Sequence, residues 1–269
     1  MKRIFSILFV FLLFFAAGAE AEEKPLKVGI NLDHYPFEYK DEDGSPTGVS
    51  VDFIKDFADH SGRTIELVEL SEDSLLPALQ TGKVDLLMSS ITITEKRKEI
   101  ADFSQPYAQD LLAAMVNADS DLQSSADLNK EGLRLVVKSN SAAHHYVQEH
   151  FPKAGIVSME DESAALVEFE QGRVDAYISD QLLIHQSHEN ISDSTRVFPM
   201  PFKDAQSWGV AFQKGNEELV DTMNEFIEEY RVSGKFEQLT ERYLAEEKRA
   251  FDQYGFLWYF PSAVEGVQE

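Results

Sequence analysis

After an apolar run from Ile4 to Ala17, the chain alternates short apolar stretches with amphipathic ones. Leu26 to Asn31 reads as a strand, and Tyr39-Lys40-Asp41-Glu42-Asp43-Gly44 as the turn of a hairpin. Between Val49 and His60, Val51, Ile54, Phe57 and Ala58 share one helical face, which Gly62 closes. Ile65 to Leu70 is a second strand, Ser71 stands where it would cap a helix running to about Gln80, and Val84 to Met88 is a buried strand. The rhythm returns with a strand at Leu133 to Val137, helices at Ala142 to Phe151 and Asp161 to Gln171, and a strand at Val174 to Ile178. From Asn216 to Tyr243 two amphipathic helices meet at Gly234. Strands separated by helices predict an α/β fold of parallel sheets flanked by helices.

One stretch recurs. Leu79-Gln-Thr-Gly-Lys-Val-Asp85 precedes the apolar Leu86-Leu-Met-Ser89, and Phe169-Glu-Gln-Gly-Arg-Val-Asp175 precedes Ala176-Tyr-Ile-Ser179. Each copy reads helix, glycine cap, basic residue, Val-Asp, strand, polar loop. Any αβ unit can repeat a glycine cap and an apolar strand. The more specific reading is two similar lobes whose strand ends face one another across a cleft, where open α/β sheets bind ligands.

Composition narrows the classes. There are 48 Asp+Glu against 24 Lys+Arg, a formal charge of −24, which excludes a nucleic-acid partner for want of basic patches. No cysteine is present, so disulfides, thiolate metal sites and a Cys nucleophile are excluded. Lys2 and Arg3, the apolar run and Ala19-Glu20-Ala21 fit a signal peptide over residues 1–21. The run is shorter than the ~20 residues that span a bilayer. Periplasmic export and a mature chain from about Glu22 are expected. No nucleophile elbow, phosphate loop or dinucleotide fingerprint occurs, so no cofactor is expected. His185 and His188 lack a third metal ligand and read as surface residues.

The loops after the two repeated strands differ in chemistry. In Ser89-Ser-Ile-Thr-Ile-Thr-Glu-Lys-Arg97, Ser90 and Thr92 alternate on an extended segment, so their hydroxyls should point the same way. Thr94 can cap a helix that carries Arg97 in its first turn. Two hydroxyls and a guanidinium suit a carboxylate, although an exposed salt bridge would use the same arginine. Asp180, directly after the second strand, suits an ammonium or a helix cap. An anion site on one lobe and a cation site on the other describe a receptor for a zwitterion.

The stretch Asp85-Leu-Leu-Met-Ser-Ser-Ile-Thr-Ile-Thr-Glu-Lys-Arg97, with Phe103-Ser-Gln-Pro-Tyr107 and Trp208-Gly-Val-Ala-Phe-Gln-Lys-Gly-Asn216, resembles the bacterial extracellular solute-binding proteins of family 3. The resemblance covers roughly Leu26 to Leu244 and implies a two-lobed type II periplasmic-binding-protein fold with a two-segment hinge. Lobe one would be 22–116 plus 203–269 and lobe two 117–202, with crossovers near Leu111 to Asn117 and Val197 to Pro201. Ser90, Thr92 and Arg97 match the family's carboxylate clamp, Asp180 its ammonium acceptor, and Ser141 a second-lobe hydroxyl that reaches the carboxylate. Ser139 stands where glycine is usual, and Ser50 departs in Gly48-Val-Ser-Val-Asp-Phe53. His34 falls where an aromatic stacks on the ligand, with Tyr35 beside it as a substitute, Glu72 where a second aromatic closes the slot, and Asn31 where an acid is common. The implied function is capture of an amino acid or similar small solute by a monomer that delivers it to an ABC importer in the membrane. Two other readings stay open: a prephenate-type dehydratase using Glu72 or Glu168, and a sensory module needing a separate membrane partner. The aromatic tail after Ala245 extends beyond the resemblance and is expected to pack back onto lobe one.

Overall fold

The computed structural model describes residues 24–139, 141–200 and 206–260. The expected signal segment, Asn140 and the expected boundary at 202/203 lie outside the described residues. No described helix is long and apolar enough to cross a membrane.

The chain opens with β1 (Leu26–Ile30), a small antiparallel sheet of β2 (Asp33–His34), β3 (Glu38–Lys40) and β4 (Pro46–Thr47), and helix α1 (Val49–Ser61). Then come β5 (Ile65–Glu69), α2 (Glu72–Gln80), β6 (Leu86–Leu87), the short α3 (Glu95–Lys98) and β7 (Ala101–Phe103). After β8 (Ala108–Asp110) the second lobe holds β9 (Leu112–Asn117), β10 (Arg134–Lys138), α4 (Ala142–His150), β11 (Gly155–Met159), α5 (Glu162–Glu170), β12 (Ala176–Asp180), α6 (Gln181–Asn190) and β13 (Thr195–Pro199). β14 (Gln206–Trp208) leads back to β15 (Ala211–Gln213), α7 (Glu217–Val232), α8 (Lys235–Tyr243) and α9 (Ala245–Tyr254). The Gly234 expected between the last amphipathic pair sits between α7 and α8 at φ 73°, where glycine is unstrained.

The two sheets repeat one plan, β5-β1-β6-β15-β7 and β11-β10-β12-β9-β13. In each, the fourth strand runs against the other four, and it is the strand that arrives from the crossover. The sequence echo is literal. Asp85 accepts the Lys27 N–H (2.8 Å) at the start of β1, and Asp175 accepts the Arg134 N–H (2.7 Å) at the start of β10. Each lobe therefore ties the loop before its third parallel strand to the strand beside it.

The crossovers are β8 and β14, which pair antiparallel as a two-stranded ribbon. Residues 112–116, assigned to lobe one from sequence, form β9 within the second sheet, paired to β12 and β13. The hydrophobic run could not show this, because a strand that enters a buried sheet and one that leaves it are equally apolar. Ser71 occupies the N-cap of α2 as expected, but its hydroxyl meets that of Ser74 (2.8 Å) instead of a backbone N–H.

Gly48 fixes how α1 leaves the small sheet. It has φ 115°, and a Cβ there would lie 2.4 Å from the Phe37 carbonyl oxygen. Gly48→Ala should therefore cost at least about 2 kcal/mol through combined backbone strain and overlap, read as a lower midpoint in urea unfolding.

Candidate functional site

A cleft of about 1380 Å³ separates the sheets. Glu72, Thr92 and Arg97 stand on its first-lobe wall, Lys138, Ser141 and His145 on the second, and Gln206 of the hinge ribbon lies between. Of the nine residues expected from sequence, Thr92, Arg97, Ser141 and Glu72 thus reach this space, whereas Asn31, His34, Tyr35, Ser90 and Asp180 do not line it.

Arg97 is placed by a local device. Thr94 caps α3, its hydroxyl accepting the Arg97 N–H (3.2 Å), while Arg97 Nη1 donates to the Thr92 carbonyl (2.7 Å). One edge of the guanidinium is thereby held and the remaining donors are left for an anion. Burial lowers the Arg97 pKa and the charge of Glu72 opposes that shift. Ser90 behaves differently from expectation. Its φ of 47° breaks the extended run, so the Ser90 and Thr92 hydroxyls diverge. Ser90 donates to Glu38 Oε2 (3.2 Å), and Thr92 to Gln206 Oε1 (3.4 Å). Across the cleft, Ser141 caps α4, accepting the His144 N–H (3.1 Å) and donating to the Lys138 carbonyl (2.8 Å). With its only proton used, Ser141 has no donor for a carboxylate in this arrangement, so this wall can meet an anion with the Lys138 ammonium and the first-turn N–H groups of α4.

Behind the cleft lies a carboxylate cluster. Asp180 caps α6 through Oδ1, which accepts the Leu183 N–H (2.8 Å), and its second oxygen has no hydrogen bond among the described residues. The two readings of this residue from sequence, cap and cation acceptor, are therefore compatible. Asp110 sits directly opposite cleft-lining Gln206 in the ribbon, so their side chains share a face. Its Oδ1 is buried with no hydrogen-bond partner among the described residues. Burial, and next the charge of Asp180, raises the Asp110 pKa well above its ordinary value, with His34 opposing. Glu162 accepts Tyr177 Oη (2.7 Å) and Ser179 Oγ (3.2 Å), and burial raises its pKa with Asp180 adding to the effect.

His34 faces these acids instead of standing in the slot. Its ring packs on Phe37 and Trp208, with centroids 5.1 and 5.7 Å away, and Nδ1 lies 3.6 Å from Glu38, itself buried and bonded to Ser50 (2.6 Å). Burial alone would lower the imidazole pKa, but the Glu38 hydrogen bond and the charges of Glu38, Asp180 and Asp110 together raise it. The side chain is still 43% exposed, so water screens part of that coupling. Tyr35 is 57% exposed against Tyr39 and does not replace an aromatic wall. Asn31 is committed to the Leu70 carbonyl (3.1 Å) and to Asp33, fixing strand ends where an acid was expected to meet ligand.

The sequence profile of the bacterial extracellular solute-binding proteins, family 3, matches residues 26–246. The chain belongs to that family. A probable histidine-binding protein of Neisseria gonorrhoeae is 30% identical to this solute-binding protein over 236 residues, spanning 86% of this chain and 87% of its own. The L-arginine-binding protein of Pseudomonas aeruginosa is 29% identical over 244 residues, spanning 87% and 92%. Among solved structures, an ancestral cationic amino acid solute binding protein matches with a TM-score of 0.67 at 32% identity, over 81% of this chain and 95% of its own.

Sequence reasoning passed over Asp110, Glu38, Glu162 and Lys138. The first had a visible signal, a lone acid in the apolar run Ala108 to Val116. Glu38 and Glu162 are placed by partners distant in sequence within their own lobes, Ser50 and Ser90 for the first and Tyr177 and Ser179 for the second, and Lys138 stands at the strand end on the cleft wall. His34 feels the charges of Glu38, Asp110 and Asp180, and Asp110 and Glu162 in turn feel that of Asp180, so an arriving cation would displace protons from the groups whose pKa values are raised. Because the His34, Asp110 and Glu162 pKa values are raised, each holds its proton to a higher pH than the same group in water. Binding of an ammonium-bearing ligand to this solute-binding protein should release protons, and affinity should fall as pH drops through those raised values. Calorimetric titrations in buffers of unlike ionisation heat check this, and proton uptake would contradict it.

Proposed function

We propose that the protein captures an amino acid with a polar or cationic side chain between its lobes in the periplasm and delivers it, as a monomer, to an ABC importer. The carrying observation is the partition of charge along the cleft. Arg97 and the first turn of α4 offer donors at one place, while Asp110, Asp180 and Glu162 wait, short of cations, at another. A zwitterion satisfies both ends, and because Arg97 stands on the first lobe and Asp180 and Glu162 on the second, holding it draws the lobes together. The names of relatives that bind histidine, arginine and cystine support an amino acid, and the acidic interior supports a cationic one. Residues 1–21 would serve as the export signal.

Capture without covalent chemistry is the reading we favour over a dehydratase. Glu168 is bound by Arg173 through two hydrogen bonds (2.6 and 2.5 Å) away from the cleft, and Glu72 is exposed on its wall. Neither has the apolar enclosure that would raise a carboxyl group for acid catalysis. Absence of prephenate or arogenate turnover by absorbance is the expected result, and turnover would overturn the reading.

Scanning fluorimetry against amino acids, polyamines and organic acids should identify the ligand class, since ligand at 100 times its dissociation constant stabilises by about 2.7 kcal/mol. Lysine, arginine or histidine should outrank leucine and phenylalanine, and Glu72→Gln should weaken the cationic ligands. Arg97→Ala should then cost about 2–5 kcal/mol in calorimetry, roughly 30- to several-thousand-fold, with Arg97→Lys a poor substitute for the planar fork. Asp180→Asn should weaken the amino acid far more than its deaminated analogue. Near-wild-type affinity in Arg97→Ala would mean that the carboxylate is held elsewhere.

A further inference from the structure

The family match stops at residue 246, yet the chain continues into α9 and an aromatic segment that is largely buried. That segment was expected to pack on the first lobe. It packs on both. Toward the first lobe, Trp258 Nε1 donates to Thr240 Oγ1 of α8 (3.2 Å), Phe260 stacks on Phe236 (4.8 Å), and Tyr259 meets Phe37 edge-on (4.9 Å). Toward the second lobe, Phe251 and Tyr254 lie against His185, and Tyr254 against His188, both histidines being buried instead of exposed as the sequence suggested. Gln181, the first residue of α6, donates Nε2 to the Leu257 carbonyl (2.8 Å). Between the two, Gln109 of β8 donates its backbone N–H to the Tyr259 carbonyl (2.8 Å), so the tail covers the ribbon edge not taken by β14. A single apolar cluster consequently runs from Phe53 and Phe226 of the first lobe through Phe251, Phe256 and Tyr259 to Met115 and Tyr177 of the second.

We propose that residues 245–260 are a third connection between the lobes, a strap that follows the hinge ribbon and limits how far the lobes separate. Two strands alone make a hinge that can swing and twist. Adding a packed segment anchored on α8, β8 and α6 removes part of that freedom, which raises the share of molecules poised for ligand. The glutamines it holds, Gln109 and Gln181, are the neighbours in sequence of Asp110 and Asp180. If the charge reading of the cleft is right, the strap also keeps both carboxylates in place.

The restraint can be tested without any ligand. The chain has no cysteine, so Lys83→Cys and Lys153→Cys, exposed positions on the two lobes, accept spin labels uniquely. Pulsed electron resonance should give a narrow distance distribution for the labelled protein. It should broaden toward longer separations when Gln181→Met and Trp258→Phe remove the two side-chain bonds while keeping side-chain bulk. Trp258→Phe alone, the milder change, should lie between. Unchanged distributions in the folded double variant would overturn the proposal, whatever the ligand proves to be. With the best amino-acid ligand from screening, Gln181→Met should bind about five-fold more weakly, the worth of one intramolecular hydrogen bond. Equal affinity alongside an unchanged distribution would leave the tail a mere cover for the core.

Discussion

A cluster of partly buried carboxylates sets the terms for this molecule. Asp110, Asp180 and Glu162 converge behind one cleft, and the basic groups near them, Lys138 at the rim and a partly exposed His34, do not sit among them as bonded partners. Such an arrangement is unfavourable until a positive charge arrives or protons stay on. The raised Asp110 and Glu162 pKa values are the proton-bearing answer, and under the proposed function a ligand ammonium is the other. Under that function the same penalty would discriminate among ligands, since a neutral molecule would leave it in place.

The fold can concentrate charge in this way because each sheet sends its strand ends toward the gap. Asp180 ends β12, and Arg97 sits in the short α3 after the loop that follows β6, so both charged groups are carried at or beyond the ends of buried strands. Thr94 and Asp180 add helix caps at those same corners, which fixes side-chain direction without using up the charge. The duplicated Asp85 and Asp175 bonds hold the third parallel strand of each lobe in like register. Two equivalent frames thus present unlike chemistry, and the difference is written only in the loops.

The frames were legible in the sequence because periodicity and glycine caps are local. Strand and helix positions, the repeat, the α3 cap and Arg97 could all be read from neighbours in the chain. What escaped depended on contacts distant in sequence. The left-handed turn at Ser90 follows no glycine signal, and it redirects a hydroxyl expected in the clamp toward Glu38, more than 50 residues away. His34 and Asn31 were assigned by resemblance to ligand-facing positions, yet Glu38 and the Leu70 carbonyl hold them within their own lobe. His185 and His188 looked like surface residues until α9 covered them, because a helix face that is polar by composition can be half apolar by packing.

The covered histidines also bear on the tail. A helix that merely shielded the first-lobe core would have no reason to meet α6, and its aromatics would be spent on α8 alone. Here the aromatic residues divide, Phe260 and Trp258 toward α8 and Phe251 and Tyr254 toward α6, with the backbone of Leu257 and Tyr259 bonded to the second lobe and to the hinge. Any rotation about β8 and β14 must slide those contacts or carry them as a unit. A receptor whose binding groups lie on separate lobes loses affinity in proportion to the time those lobes spend apart. A third connection placed at the hinge, where displacement is least, shortens that time while leaving the mouth of the cleft free to open.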